Sequence, residues 1–598
     1  MKNVTEKMLS LDFSELRITI PEIGNWQLAA SGRKICDEIE EVTIELSNAG
    51  LELLPGFKVQ FSFPQCDVVS RWNANAFMDK GVVPEWGPGF SGELASGAPV
   101  LGLIGNNGIN RLVCSCSDAL RKTVFASGVR EYTFEINTTI DFLTLQEPPN
   151  NHYSVTLRFD RREIPFETAL TEAFAHFATM PEYKPSLTPA AGWQPWYSTW
   201  YSYHKELFQG EIEAECHLAK QLGMVGVILD DGWQTDDNDG DYRYCGDWRV
   251  AKRRFPDMTE HVRKIHEIGL KFMLWYSVPF VGDCSGNSER FKGKYLCHNG
   301  SLKASILDPR FQEVRDFLCS TFVNAVTGWN LDGLKLDFID RFVIPDGMDD
   351  PAAAENYAGR DFKSIPEATD VLLTDIMKSL RAINPDILIE FRQQYIGPAI
   401  RKYGNLFRAA DCPGDITANR SRSVDLRLSS GETAVHGDML RWNEKESVEA
   451  AARQILAVLF AVPQISVKLA GMPEAHIKMI KHRLAFYERH WQVLAQGKLQ
   501  AKHPEMNYPV VRAEDAVKGI TACYIENVVV ELPQLADGKL EVIVNATATA
   551  EVMVSIPVAA KVTIVDACGE NAKTIKLVAG IHAIPVPASG ECEIVIAK

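Results

Sequence analysis

The sequence of 598 residues lacks long hydrophobic runs, and only Cys114 and Cys116 among its cysteines lie close together. No 18-residue apolar stretch occurs, so the sequence offers no candidate for a membrane-spanning helix. Residues 1–13 contain no apolar segment long enough for a signal peptide, and we expect a cytoplasmic protein that does not bind membranes. The 13 cysteines are scattered without a C-x-x-C pair, which favours reduced, mostly buried thiols over a disulfide framework.

The sequence has fewer positively charged than negatively charged residues. The chain has 62 lysines and arginines against 78 aspartates and glutamates, which gives a formal net charge of -16 at pH 7. An acidic surface repels the phosphates of nucleic acids and of anionic lipids, so neither is an expected partner. A neutral small molecule suits this charge better.

Several catalytic motifs are also absent. The 13 histidines form neither H-x-H nor H-E-x-x-H, and the acidic loop at 236–239 lacks calcium-loop spacing, so we expect no metal site. No G-x-S-x-G elbow is present, and Cys412 has no obvious histidine partner besides His436, which disfavours a serine or cysteine triad. No phosphate loop occurs either, and we expect no cofactor.

Hydrophobic patterning divides the chain into three parts. Residues 1–182 show short alternating runs between Gly, Asn and Pro turns, which predicts an N-terminal β-sandwich. Residues 498–598 return to alternation and predict a C-terminal antiparallel β-sandwich. Across residues 183–497, apolar strands alternate with amphipathic helices, which predicts a (β/α)8 TIM barrel. The predicted barrel strands are 192–197, 225–229, 271–276, 333–338, 387–391, 405–410, 434–438 and 465–469.

Charged and aromatic residues recur near the ends of these predicted strands, where barrel enzymes place their active sites. A packed barrel interior needs none of them, so their recurrence at seven strands predicts a functional site. They are Trp196, Trp200, Asp230, Asp231, Trp233, Trp275, Lys335, Asp337, Glu390, Arg392, Arg408, Asp411, His436 and Asp438.

The mixture of side chains indicates a neutral sugar as ligand. The ring faces of Trp196, Trp233 and Trp275 can stack on the apolar face of a pyranose. The adjacent carboxylates of Asp230 and Asp231 can accept hydrogen bonds from neighbouring hydroxyls. The alternative for these two aspartates is a capped turn that begins the next helix.

Cleavage of a glycosidic bond requires two carboxyl groups. Asp337 is the predicted nucleophile, because Lys335 lies on the same strand face and stabilises its anion; a buried salt bridge is the alternative. Asp411 is the predicted acid, because its apolar neighbours would raise its pKa. Asp415 is the rival for that role and a candidate substrate contact. Arg408 should contact the sugar or the charged form of the acid.

These motifs resemble those of glycoside hydrolase family 36, the α-galactosidases often called melibiases. The resemblance implies a sandwich, barrel and sandwich layout, and a retaining mechanism with Asp337 as nucleophile and Asp411 as acid/base. It also implies contacts of Asp230 and Asp231 with O4 and O6 of galactose, of Trp196 with its apolar face, and of Lys335 with further ring hydroxyls. The similar stretches are GWQPWY at 192–197, ILDDGWQ at 228–234, GDW at 246–248, RFP at 254–256, KLDF at 335–338 and RAADCPGD at 408–415.

The stretch IEFRQQ at 389–394 departs from the family pattern, so the contacts to O2 of the sugar stay open. We predict a retaining exo-α-galactosidase that hydrolyses terminal α-linked galactose from oligosaccharides or glycoconjugates. The alternatives are a raffinose-type galactosyl transferase, an α-N-acetylgalactosaminidase and a non-catalytic sugar-binding barrel. A homo-oligomer fits the resemblance, although no stretch identifies an interface.

Overall fold

The N-terminal part of the computed structural model, which describes residues 4–75, 77–534 and 538–596, is a β-sandwich followed by one helix. The alternation of β5 explains the packing, because Phe57, Val59, Phe61 and Phe63 all point into the core between the sheets. The elements are β1 (Thr5–Ser10), β2 (Glu15–Ile20), β3 (Gln27–Cys36), β4 (Ile39–Glu52), β5 (Phe57–Pro64), β6 (Val68–Trp72), β7 (Phe90–Glu93), β8 (Ser96–Gly97), β9 (Val100–Gly105), β10 (Asn110–Cys116), β11 (Thr123–Arg130), β12 (Glu135–Phe142), β13 (Asn150–Asp160) and α1 (Phe166–Ala178).

Both N-terminal sheets are antiparallel. One sheet has the order β1-β2-β5-β12-β11-β7-β8, and the other has the order β3-β4-β13-β10-β9-β6. Their apolar faces enclose a core of their own, separate from that of the barrel.

An eight-stranded parallel sheet forms the centre of the protein, with β23-β22-β21-β20-β16-β15-β14-β24 in order. Val462 bridges the remaining gap between the first and last of these strands, because its amide donates to the carbonyl of Val435 and its carbonyl accepts from Gly437. The strands are β14 (Trp196–Ser198), β15 (Gly226–Leu229), β16 (Lys271–Ser277), β17 (Phe280–Gly282), β18 (Tyr295–Asn299), β19 (Ala304–Leu307), β20 (Gly333–Asp337), β21 (Leu388–Arg392), β22 (Leu406–Arg408), β23 (Ala434–His436) and β24 (Gln464–Ile465), of which β17, β18 and β19 form a small separate sheet.

Helices cover the outside of this barrel. The fifth connection differs from the predicted pattern, since only a 3-10 turn, Ala399–Lys402, lies between β21 and β22. Pro398 and the nearby Gly397 and Gly404 disfavour a longer helix there. The helices are α2 (Trp200–Tyr203), α3 (Gln209–Gln221), α4 (Met258–Ile268), α5 (Gln312–Trp329), α6 (Ile365–Ile383), α7 (Ile416–Ser429), α8 (Val448–Ala457) and α9 (Glu474–Trp491).

The C-terminal part is a second sandwich, with one sheet of order β25-β26-β27-β29-β34-β31-β32 and another of order β28-β30-β33. Most pairs are antiparallel, but β27 with β29 and β28 with β30 run parallel. The strands are β25 (Lys498–Ala501), β26 (Val510–Glu514), β27 (Lys518–Cys523), β28 (Val529–Glu531), β29 (Leu540–Asn545), β30 (Val552–Ile556), β31 (Ala560–Val565), β32 (Lys573–Leu577), β33 (Gly580–Ile584) and β34 (Glu591–Ile596).

This architecture confirms the predicted barrel between two β-sandwiches, whereas the predicted boundaries at 182/183 and 497/498 stay predictions. All 13 cysteines are free and seven are buried, as the cysteine spacing predicts. Within the described ranges, no helix has both the length and the apolar composition needed to span a membrane.

One carboxylate connects all three parts. Asp425 on α7 accepts hydrogen bonds from the Trp72 indole at 2.8 Å and from the Tyr508 hydroxyl at 2.5 Å. The ammonium group of Lys80 lies 2.9 Å from its other oxygen. Trp72 and Lys80 belong to the N-terminal part and Tyr508 to the C-terminal part, so the two sandwiches meet at a barrel helix.

We expect Asp425→Asn to destabilise the protein by about 3–5 kcal/mol, because it leaves the Lys80 ammonium buried without a counter-charge. A lower midpoint of thermal denaturation would show this effect. Asp375→Asn, on an exposed position of α6, is the matched control and should leave the midpoint nearly unchanged. Equal midpoints for Asp425→Asn and wild type would contradict the assignment.

Candidate active site

The carboxyl ends of the barrel strands hold a cluster of buried charges. The ammonium of Lys335, on β20, lies 2.6 Å from a carboxylate oxygen of Asp230, which follows β15. The guanidinium of Arg392, the last residue of β21, lies 2.6 Å from the carboxylate of Asp337, the last residue of β20. Parallel barrel strands end on one face, so these pairs form a single site.

Asp337 is held by donors on both of its carboxylate oxygens. Its Oδ2 accepts one hydrogen bond, from the indole of Trp275 at 3.1 Å. Its Oδ1 accepts from Arg392 Nε at 2.6 Å, from the backbone amide of Phe338 at 2.8 Å and from the Tyr395 hydroxyl at 3.3 Å. Phe338 itself has a left-handed backbone with φ of 66°, an uncommon conformation for a bulky residue.

These contacts fix the charge of Asp337. Burial favours the neutral acid, but the charges of Arg392 and Lys335 and the hydrogen bond from Trp275 lower its pKa to about 2. Asp337 is therefore an anion at neutral pH, as a nucleophile requires. The sequence analysis predicted that Lys335 stabilises the Asp337 anion. In the structure Arg392 lowers the pKa of Asp337 more than Lys335 does, and Lys335 forms its direct ion pair with Asp230.

Asp231 has an unused acceptor. Its side chain is buried, and its Oδ1 accepts from the Gln234 amide at 2.6 Å. Its Oδ2 lies 3.5 Å from the Lys205 ammonium and has no hydrogen-bond partner among the described residues. Burial raises its pKa to about 6, against the opposing effects of Lys205 and Gln234.

The adjacent Asp230 accepts from Lys335 and from the backbone amide of Asp231. The alternative of a helix cap does not apply to either aspartate, since the next helix, α4, is capped by Asp257. Asp230, Asp231 and Lys335 instead line the site together.

Arg408, at the end of β22, connects two further carboxylates. Its guanidinium lies 2.8 Å from Asp411 and 2.5 Å from Asp438. Asp438 also accepts from the Tyr201 hydroxyl at 2.8 Å and from the Cys412 amide at 2.7 Å. The loop that carries Asp411 is therefore anchored to the ends of the first and seventh strands.

Asp411 is accessible, with a side chain 55% exposed. Partial burial raises its pKa, but Arg408 and Lys335 outweigh this effect and lower the pKa overall. The predicted rise in pKa from apolar neighbours is therefore wrong, because Arg408 donates directly to the carboxylate. The charge of Asp337 raises the pKa of Asp411, so the two carboxylates interact across the site.

Two predicted substrate contacts have other partners. Trp196 begins β14 instead of ending it, because residues 190–193 form a 3-10 turn; its side chain is fully buried and its indole donates to Ala191. Asp415 caps α7 by accepting from the amides of Thr417 and Ala418. The interpretation of Trp196 and Asp415 as sugar contacts stays a prediction.

Trp275 reaches the site, but not as a stacking surface. Only 1% of it is exposed, and its ring packs against Tyr242 and Trp248. Its indole N–H, bonded to Asp337, is the part that serves the site. Trp200, which the sequence placed near the end of the first strand, is half-buried beyond β14.

A cavity of about 410 Å³ opens beside the acid loop. Its lining includes Pro413 and Gly414, which follow Asp411, together with Tyr201, His204 and Arg441. Asp411 itself is not part of this lining, whose nearest residue along the chain is Pro413, two positions after it.

Sequence reasoning named Arg392 without giving it a role, and it missed Tyr201, Tyr395 and Lys205. Each missed residue follows a barrel strand by a few positions. Proximity to a strand end could have selected them as candidates, but their partners depend on how the loops fold.

The comparisons with known proteins agree with this geometry. The family model described as Melibiase matches residues 183–390. The chain is 30% identical over 152 residues to "Alpha-galactosidase Mel36A" of Lactobacillus acidophilus and 29% identical over 151 residues to "Alpha-galactosidase AgaA" of Geobacillus stearothermophilus. Each alignment covers 24% of this chain and 20% of the relative, so the chain spans about a fifth of the length of these curated relatives.

Solved structures share the fold over nearly the whole chain. An α-galactosidase from Lactobacillus brevis has a TM-score of 0.67 at 15% identity and covers 100% of this chain and 85% of its own. The family 36 α-galactosidase AgaA from Geobacillus stearothermophilus, solved in complex with raffinose, has a TM-score of 0.61 at 12% identity and covers 98% and 81%. The predicted resemblance to the family 36 α-galactosidases is confirmed.

We expect Asp231→Asn to raise stability above about pH 6, by about 1–3 kcal/mol. The folded pKa of about 6 exceeds the ordinary value of 3.8, so the wild type loses stability as pH rises between these values. Thermal midpoints at about pH 4 and pH 8 should show a gap that grows with pH. Asp236→Asn, a half-exposed neighbour, is the control, and a gap independent of pH would contradict the prediction.

Proposed function

We propose that this chain, with its melibiase-like region at residues 183–390, is a retaining exo-α-galactosidase of glycoside hydrolase family 36. The observation that carries the proposal is the pairing of Asp337 with Asp411. Asp337 is held as an anion, the side chain of Asp411 is 55% exposed, and the charge of Asp337 raises the pKa of Asp411. This is the pair that glycoside cleavage requires.

The reaction takes place in two displacements. In the first, Asp337 attacks the anomeric carbon while Asp411 gives its proton to the departing glycosidic oxygen. In the second, Asp411 takes a proton from water, the water oxygen bonds to the anomeric carbon, and the ester to Asp337 breaks. Two inversions retain the configuration.

The mutual influence of the two carboxylates assists this change of role. The negative charge of Asp337 raises the pKa of Asp411 and so favours its acid form before the first step. Ester formation removes that charge, which lowers the pKa of Asp411 and favours its base form for the second step. Arg408 and Lys335 lower the pKa of Asp411 in both steps.

Galactose recognition is assigned to the second and fourth strands. We place Asp230 and Asp231 on O4 and O6 and Lys335 on further ring hydroxyls, supported by the free acceptor of Asp231 and by the burial of all three side chains. Sites that must hydrogen-bond a hydroxyl discriminate strongly against a sugar that does not supply it. The cavity beside Asp411 takes the leaving group.

The cytoplasm is the proposed location, supported by 13 free cysteines in one chain. The raffinose-type transferase, the α-N-acetylgalactosaminidase and the homo-oligomer stay predictions.

We expect Asp337→Asn to lower kcat on aryl α-galactosides by about 10⁴-fold or more, because the nucleophile is lost. Asp411→Ala should slow cleavage of raffinose-type substrates by about 10²- to 10⁴-fold but slow activated aryl substrates less, since a good leaving group needs little protonation. Steady-state kinetics on both substrate classes would measure these losses. Asp375→Asn is the control, and near-normal turnover by Asp337→Asn would refute the mechanism.

The pH dependence of kcat/KM should reflect the protonation state of Asp411. Because the pKa of Asp411 lies below its ordinary value, kcat/KM for an unactivated α-galactoside should fall as pH rises from about 5 to 8. With an aryl substrate that needs no protonation, the decline should be shallower. A flat profile for the unactivated substrate over this range would argue against Asp411 as the acid.

A further inference from the structure

The two oxygens of Asp337 are in unequal surroundings. Three donors converge on Oδ1, namely Arg392 Nε, the Phe338 amide and the Tyr395 hydroxyl. Oδ2 accepts only the indole N–H of Trp275 among the described residues. A carboxylate oxygen has about two lone-pair directions, so Oδ1 is fully engaged whereas Oδ2 keeps one free.

Arg392 is held firmly in this arrangement. Its guanidinium lies 5.0 Å from the ring centre of Phe338 and 5.6 Å from that of Tyr395. One terminal nitrogen donates to the carbonyl of Gln393 at 2.7 Å, and another lies 3.8 Å from Asp340. Its side chain is only 16% exposed. An arginine fixed at five points can orient a carboxylate without moving during the reaction.

Tyr395 is fixed as well. It is fully buried, and its hydroxyl also donates to the carbonyl of Leu336 at 2.9 Å. The single hydroxyl proton is shared between that carbonyl and Asp337 Oδ1, so its contact with Asp337 is the weaker of the two. We therefore expect Tyr395 to matter less than Arg392.

We propose that Arg392 and Tyr395 are positioning residues that occupy Oδ1 of Asp337, so that Oδ2 is the oxygen that attacks the sugar and Arg392 promotes its later release. This proposal rests on the proposed function. It gives a role to the stretch at 389–394, which departs from the family pattern and follows the fifth barrel strand.

The bonds balance as follows. In the first step Oδ2 bonds to the anomeric carbon, and the glycosidic oxygen leaves with its electron pair and takes the proton of Asp411. In the second step water adds to that carbon and gives a proton to Asp411, while the electron pair of the Oδ2–carbon bond returns to Asp337. Arg392 faces the carboxylate as this negative charge reappears, so it favours the second step.

Removal of the guanidinium should therefore slow release of the sugar more than its attachment. For Arg392→Met with an activated aryl α-galactoside, we expect kcat to fall about 10²-fold and KM to fall with it, because the ester accumulates. Rapid mixing should show a burst of about one aryl alcohol per site. Arg392→Lys and Tyr395→Phe should also lower kcat and KM together and give a burst, but kcat should fall only about tenfold or less.

The control is Arg263→Gln, an exposed arginine on α4 that is paired with Glu260 and Glu267. It should leave kcat, KM and the absence of a burst unchanged. A higher KM at constant kcat for Arg392→Met would instead make Arg392 a sugar contact. Loss of activity without a burst, or unchanged kinetics, would also overturn the proposal. If Arg392→Met does not fold, Arg392→Lys and Tyr395→Phe decide by the same criteria.

A second measurement separates this proposal from the proposed function. Thermal midpoints of wild type, Arg392→Met, Asp337→Asn and the double variant form a cycle that needs no substrate. Strong non-additivity at neutral pH is expected from the direct contact, and additivity would overturn the positioning role. A wild type that cleaves no α-galactoside would refute the proposed function, while the cycle would still test whether Arg392 and Asp337 act as a pair.

Discussion

Pairing of buried charges at the carboxyl end of the barrel is the constraint on which the site depends. A charge removed from water is tolerated only next to an opposite charge or several hydrogen-bond partners. Lys335 with Asp230, Arg392 with Asp337 and Arg408 with Asp438 each satisfy this requirement between neighbouring or facing strands. Asp337 belongs to one of these pairs, and Arg408 also contacts Asp411. The arrangement that makes the charges tolerable therefore also orients the chemistry.

The same constraint explains why the two proposed catalytic carboxyls differ. Asp337 is enclosed by donors and stays ionised, whereas Asp411 is bonded to a single arginine and its side chain is 55% exposed. Neither behaviour follows from the aspartate itself. Each follows from the number of donors and from the amount of water that the surrounding strands leave around the group.

Much of the fold follows from the sequence, because periodicity and turn residues are local properties. The barrel, the two sandwiches and the positions of Asp230, Lys335 and Asp337 at strand ends were all predictable in this way. Trp196 was misplaced because the apolar run 192–197 contains a turn before its short strand. The pKa of Asp411 could not be predicted, since it depends on Arg408 turning towards the carboxylate instead of a sugar.

The shared carboxylate of Asp425 connects the flanking sandwiches to the loop that carries Asp411. Asp425 lies on α7. Arg422 of the same helix donates to the carbonyls of Ala410 and Asp411, so α7 is hydrogen-bonded to the loop that carries Asp411. Trp72 of the N-terminal sandwich and Tyr508 of the C-terminal part donate hydrogen bonds to Asp425 on the same helix. Removing either sandwich from the chain would thus loosen the support of the proposed proton donor, so under the proposed function the excised barrel would be less active even where it stayed folded.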